Sequence, residues 1–175
     1  MSGHVYKTYN AAMATTAATA KVTTGTSLKT MLQLSTPSTR GIWILSWGFS
    51  VDAPPATTGT GVVELIQTDV AATTGTAHVA AGVQPQYPDA PASLLTLGTS
   101  NTGFTFTVEG TTVASRLFDF TDIAGVSNGA WPTKYSYNFL LDDGEIPRVD
   151  VSSFLRVRVL FSAAVNMNCW IKHRE

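Results

Sequence analysis

Cysteine is nearly missing from this 175-residue chain. Cys169 stands alone, which excludes an internal disulfide and any zinc site built from several cysteines. Charge is scarce as well: Asp, Glu, Lys and Arg make up 13% of the residues, against about 25% in an average globular domain. The net charge is −1 and the 11 basic residues are spread along the sequence, so no charge run draws the chain to nucleic acid or to an anionic membrane. No apolar run approaches the roughly 20 residues of a membrane span. The opening M-S-G-H-V-Y-K lacks the apolar segment of a signal peptide, and there is no N-x-S/T acceptor. The expectation is synthesis in a cytoplasm without a cleaved export signal.

What is present is β patterning. Gly41 to Asp52 reads G-I-W-I-L-S-W-G-F-S-V-D, with Trp43, Leu45, Trp47, Phe49 and Val51 at the odd positions. From Ser46 onward the even positions are small or polar. Alternate side chains of a strand point to opposite faces, so this period predicts one central strand, Ile42–Val51, with its odd face in a core between two sheets. From Ser27 the strand signals recur: Leu28–Leu34, Val62–Val70, Ser93–Leu97 and Gly103–Gly110 with Phe104, Phe106 and Val108 inward. Ser115–Thr121, Tyr135–Leu141, Phe154–Phe161 and Val165–Ile171 follow. Asp52–Gly61 and Gln84–Pro91 are broken by proline and glycine and read as connectors. The pattern predicts one all-β domain over residues 27–175, an antiparallel sandwich or jelly roll of eight to ten strands.

Residues 1–26 differ, with little bulky apolar content beyond Val5, Tyr6, Tyr9, Met13 and Val22. Repeated threonine weakens a helix over Asn10–Lys21. Two readings stand for this segment: a loose tail, or an extended arm ordered on a neighbouring subunit. Twenty extended residues span up to ~65 Å, against a radius of gyration near ~16 Å for a domain of this size. Tyr6 and Tyr9 would anchor such an arm through large rigid contact area, with Lys7 between them facing a carboxylate or solvent.

Catalytic chemistry needs a nucleophile, a base and an orienting group brought together. His4, His78 and His173 lie in no recognisable catalytic neighbourhood, and no H-x-x-x-H or C-x-x-C pair exists. Cys169 falls on the apolar face of the last strand and reads as an inert core thiol. Asp142, Asp143 and Glu145 surround Gly144 in a loop that is either a plain turn or an oxygen-rich calcium loop. Asp119 and Asp122 could pair across a bend as acid and base, or simply lie on an exposed face. Arg156 and Arg158 share the outward face of one strand, where they either grip a carboxylate-bearing partner or form the charged outside of a sandwich. The expectation is no enzyme, no cofactor and no bound metal.

Several stretches resemble a group of small virion proteins of tailed bacteriophages. They are A-T-A-K-V-T-T-G-T-S-L-K-T-M-L-Q-L-S-T-P-S-T-R, I-L-S-W-G-F-S-V-D, V-V-E-L-I-Q-T-D-V, A-P-A-S-L-L-T-L-G-T and F-L-R-V-R-V-L-F-S-A-A-V-N-M-N-C-W-I. The similarity spans most of residues 18–171, lies in strand and turn patterns, and contains no catalytic motif. It implies a β-sandwich capsid decoration or cement protein that contributes no chemistry. Such a protein sits on the capsid surface, binds the major capsid protein and commonly forms trimers at local threefold positions. Tyr6, Lys7, Tyr9, Arg156 and Arg158 are then the candidate assembly contacts. The rival is a tail-associated receptor- or carbohydrate-binding module with exposed aromatics such as Trp131 or Tyr87. A hydrolase using Asp119/Asp122 or Asp142/Glu145 is a third class.

Overall fold

The computed structural model describes residues 3–13, 16–53, 60–99, 101–124 and 134–175. In chain order the strands are β1 (Val5–Tyr9), β2 (Val22–Thr23), β3 (Lys29–Ser35), β4 (Ile42–Val51), β5 (Thr60–Thr68), β6 (Thr76–Ala77) and β7 (Val83–Pro85). They continue as β8 (Gly103–Phe104), β9 (Ser115–Ala124) and β10 (Lys134–Asn138), then a single helical turn α1 (Phe139–Asp142), β11 (Arg148–Val149), β12 (Phe154–Phe161) and β13 (Asn166–Arg174). Two antiparallel sheets pack face to face, as an all-β sandwich requires. One runs β10-β4-β13-β1-β7, with β11 beside β4 and β2 beside β13; the other runs β6-β8-β3-β12-β5-β9.

The core forms where the inner faces meet. Trp47, Phe49, Val51, Met167, Cys169 and Ile171 come from the seven-stranded sheet. Leu32, Leu34, Val63, Leu65, Leu155, Val157, Val159 and Phe161 come from the six-stranded one. The alternation along β12 and β13 follows the sequence pattern, because both strands are paired on both sides and hold strict period two over most of their length.

The central strand departs from its expected single file. His173 pairs with Ile44 and Lys172 with Ser46, so Leu45 is an extra residue opposite β13. This bulge exchanges the two faces. Ile42 and Ile44 point inward before it, Trp47, Phe49 and Val51 after it, and Trp43 is turned to the outside. Trp43 and Trp47 therefore lie on opposite faces. The expectation of one apolar face from 43 to 51 is corrected, while the sandwich stands. The same device recurs at Met31 in β3 and at Phe118 in β9.

The expected arm is also corrected. β1 lies inside the seven-stranded sheet, paired with β13 on one side and β7 on the other. Tyr6, Thr8, Asn10 and Ala11 are buried. Asn10 extends the pairing beyond Tyr9: its side-chain amide donates to the carbonyl of Met167, and its oxygen accepts the Cys169 N–H. A boundary at residue 26 would cut a strand out of the middle of a sheet. The sparse apolar content misled because a strand facing one core needs only alternate inward side chains, here one tyrosine and two small polar residues.

Three further strand expectations change. Ser93–Leu97 forms no strand and only reaches β3 through the Thr96 N–H to the Ser35 carbonyl. Gly103–Gly110 is strand over two residues only, since Thr105 takes a left-handed φ of 58°. Tyr135–Leu141 stops at Asn138, where the Asp142 carboxylate accepts the Asn138 N–H and the chain turns into α1.

Candidate assembly surfaces

The outer face of the six-stranded sheet is divided. Over β3 and β12 the stretches around residues 70–72 and Glu109 fold back and cover it, Ala72 meeting the Gln33 side chain and Val70 and Glu109 meeting Arg156. Glu109 accepts from the N–H and hydroxyl of Thr30 and meets Arg156, whose guanidinium also donates to the carbonyls of Glu109 and Val70. Burial pushes the Arg156 guanidinium down to about 10, with Glu109 opposing the shift. The expectation that Arg156 faces outward for a partner is corrected: its side chain is wholly enclosed. Arg158 remains near the surface and pairs with Glu64 on the neighbouring β5 at 2.5 Å.

Over β5, β9 and the end of β12 the same face is open. Leu117, Phe120, Leu160 and Leu28 are each 40% exposed or more, and they surround the Arg158–Glu64 pair with Val62 beneath. The bulge at Phe118 matters here, because it brings Leu117 and Phe120, three residues apart, to one face. Contiguous apolar side chains framing a charged pair are the composition of an interaction patch.

The outer face of the seven-stranded sheet has a different character. Its strands hold five basic residues, Lys7, Lys134, Arg148, Lys172 and Arg174, and no Asp or Glu. Lys7 lies 4.0 Å over the Trp170 ring and 5.1 Å over that of Tyr9, so these two expected contact residues do sit together on an outer face. Gly48 makes room for the arrangement, since a Cβ there would lie 2.8 Å from the Trp170 indole. Tyr6 does not join them. It is buried, stacks on His173 at 5.7 Å, and donates its hydroxyl to the Pro91 carbonyl.

The other candidates are engaged locally. Asp143 accepts the Tyr137 hydroxyl at 2.6 Å, which with Asp142 on the Asn138 N–H leaves these carboxylates closing α1 before Gly144, at φ 72°. The Tyr137 phenol is raised to about 12 by that bond. Asp119 and Asp122 point to opposite faces of β9. Asp119 turns inward and accepts from the Trp47 indole and the Tyr135 hydroxyl, both at 2.8 Å, whereas Asp122 is exposed. An acid–base pair is therefore not assembled. His78 and His173 are both buried: His78 bonds the Tyr9 carbonyl at 2.8 Å, and His173 meets Glu175 at 3.1 Å. Burial holds the Cys169 thiol well above its ordinary range and so disfavours the thiolate. Among the described residues no three His, Cys, Asp or Glu side chains gather as a metal site, and no helix is long and apolar enough to cross a membrane. Tyr87 is exposed on its loop, and Trp131 lies outside the described residues.

Sequence reasoning missed the open apolar strip and the outward Trp43. Both depend on bulges, which leave no mark in a strict two-residue period. Comparison with family models, with curated proteins and with solved structures finds no match.

Proposed function

We propose that the protein is a structural virion component of a tailed bacteriophage, a capsid decoration protein that binds neighbouring copies of the major capsid protein and contributes no catalysis. The resemblance in sequence suggests the setting, and the open strip of Leu28, Leu117, Phe120 and Leu160 on a rigid sheet is the observation that carries the role. Burying such a strip against a neighbouring subunit supplies non-directional adhesion, and the Arg158–Glu64 pair inside it fixes orientation. Attachment in this reading comes from sheet faces, because the N-terminal strand is committed to the sandwich. A trimer is the proposed unit.

The test is the copy number in purified virions, together with the mass of the isolated protein by light scattering. Hundreds of copies per particle and a trimeric mass agree with a head coat. A few copies per particle favour the alternative, a tail-associated receptor- or carbohydrate-binding module, and absence from virions removes both.

A further inference from the structure

Trp43 floors a cleft of about 430 Å³ on the outside of the seven-stranded sheet, within the size range of small-ligand sites. Arg40, Arg148 and Arg174 surround it, with the guanidinium carbons of Arg148 and Arg174 at 5.7 and 6.0 Å from the indole centroid. The backbone runs close beside these side chains. A Cβ at Gly3 would lie 2.8 Å from Cγ of Arg174, and one at Gly41 would lie 3.0 Å from Nε of Arg148. The nearest atoms to such a Cβ are the backbone carbonyl oxygens of Glu175 and Val149, so glycine at both positions lets the backbone close in beside the arginines.

No ion pair among the described residues fixes these arginines, and the three positive charges outnumber the single side-chain carboxylate on the rim. Among the described residues no carboxylate lies within 4.0 Å of Arg40, Arg148 or Arg174. The acidic side chain on the rim, Glu175, is already held by the Ser93 hydroxyl and the Leu94 N–H, each at 2.6 Å, and by His173. Three guanidiniums without a carboxylate partner therefore flank one half-buried indole, two of them within 6.0 Å of its ring centroid.

We propose that this cleft binds a carboxylate-bearing sugar residue of an acidic glycan. A guanidinium fork matches a carboxylate with two parallel hydrogen bonds, and the indole face receives the apolar C–H face of a pyranose ring. Inorganic phosphate would use the arginines and leave the indole idle, and a neutral sugar would do the reverse. Lys172 and Lys7 continue the positive charge from Arg174 toward Trp170, four residues and roughly 13 Å along β13. An anionic chain would follow that row. Single-stranded nucleic acid fits less well, since it uses a series of open aromatic faces, and the Trp170 ring has the Lys7 ammonium 4.0 Å from its centroid. The inference holds whether the protein sits on the head or the tail.

Titration of the full chain with tetragalacturonate, read by calorimetry and tryptophan fluorescence, tests it. The expected result is saturable binding that weakens with added salt. Arg40→Gln, an exposed position, and Arg174→Gln should each weaken binding about tenfold or more, as the loss of a charged hydrogen bond implies, with an unchanged melting temperature. Trp43→Leu should abolish the fluorescence response and the binding while the far-ultraviolet spectrum stays that of the wild type. No saturable binding, equal binding of maltotetraose, or wild-type affinity in the Arg40 and Arg174 variants would overturn the proposal. Equal affinity for inorganic phosphate would overturn the sugar assignment, and tighter binding of oligo(dT) would replace the glycan with a nucleic acid.

Discussion

Arg156 stands on the outward side of β12 yet is enclosed, because the segment carrying Glu109 folds over it and supplies a carboxylate and a carbonyl. Two charges withdrawn from water are tolerable only as a pair, so removing one partner is costlier than removing both. Glu109→Ala is expected to destabilise the fold by about 3–5 kcal/mol in chemical denaturation. The double change Arg156→Met, Glu109→Gln should recover most of that loss, and a double variant as unstable as the single would show that the pair is not what holds the segment. His78 gives a separate signal at the same scale. Burial lowers its affinity for a proton and the bond to the Tyr9 carbonyl only partly opposes this. Its folded-state value lies below the ordinary 6.5, so the unfolded chain takes up the proton first and stability falls as pH drops below that point. Glu175 adds to the loss at lower pH: burial raises its carboxyl, but bonds from His173, Leu94 and Ser93 outweigh this and hold it below its ordinary value. Melting temperature should therefore decline from about pH 6.5 downward, and His78→Gln should flatten the upper part of that decline. A wild-type profile flat between pH 7 and 5 would contradict the assignment.

β1 shows at the scale of elements where legibility ended. Its residues V-Y-K-T-Y alternate, but with one tyrosine and one threonine inward they resemble an exposed arm until their partners are known. Those partners, β13 and β7, lie about 165 and 80 residues away, and no local pattern announces such a pairing. By contrast β12 was legible to the residue and β13 to within three residues at its end, because their inward positions alternate and both feed the core. β4 was legible as a strand and wrong in its face, since one extra residue at Leu45 inverts everything before it. The candidate surfaces share that cause: the bulge at Leu45 exposes Trp43 and the bulge at Phe118 aligns Leu117 with Phe120. Deleting residues 3–10 should therefore abolish cooperative unfolding rather than release a folded core, because it opens two paired edges and leaves the Cys169 N–H without Asn10. A truncated chain that melts cooperatively near the wild-type temperature would return β1 to the status of an arm.

The whole molecule presents two unlike outsides on one core. The seven-stranded sheet turns out bases and aromatics without a single acidic strand residue, and the six-stranded sheet turns out an apolar strip around a neutralised pair, with Asp122 beside it. Neither outside is needed to hold the core, whose inward residues are distinct from both sets. Stability and association should therefore separate. Phe120 and Leu160 are each about half exposed, so Phe120→Lys with Leu160→Lys removes little burial within the monomer. The unfolding free energy of the isolated chain should stay within the range of ordinary surface changes, about 0.5 kcal/mol per substitution. Association should respond much more strongly, because Glu64, the carboxylate opposite position 120, is already paired with Arg158, and two added positive charges exceed what it can neutralise in a desolvated contact. The double variant is expected to lose its place on particles, or its self-association, while a control such as Lys134→Ala on the opposite sheet retains both. Equal occupancy of particles by wild type and double variant would remove the strip from the proposed interface and direct attention to the basic face instead.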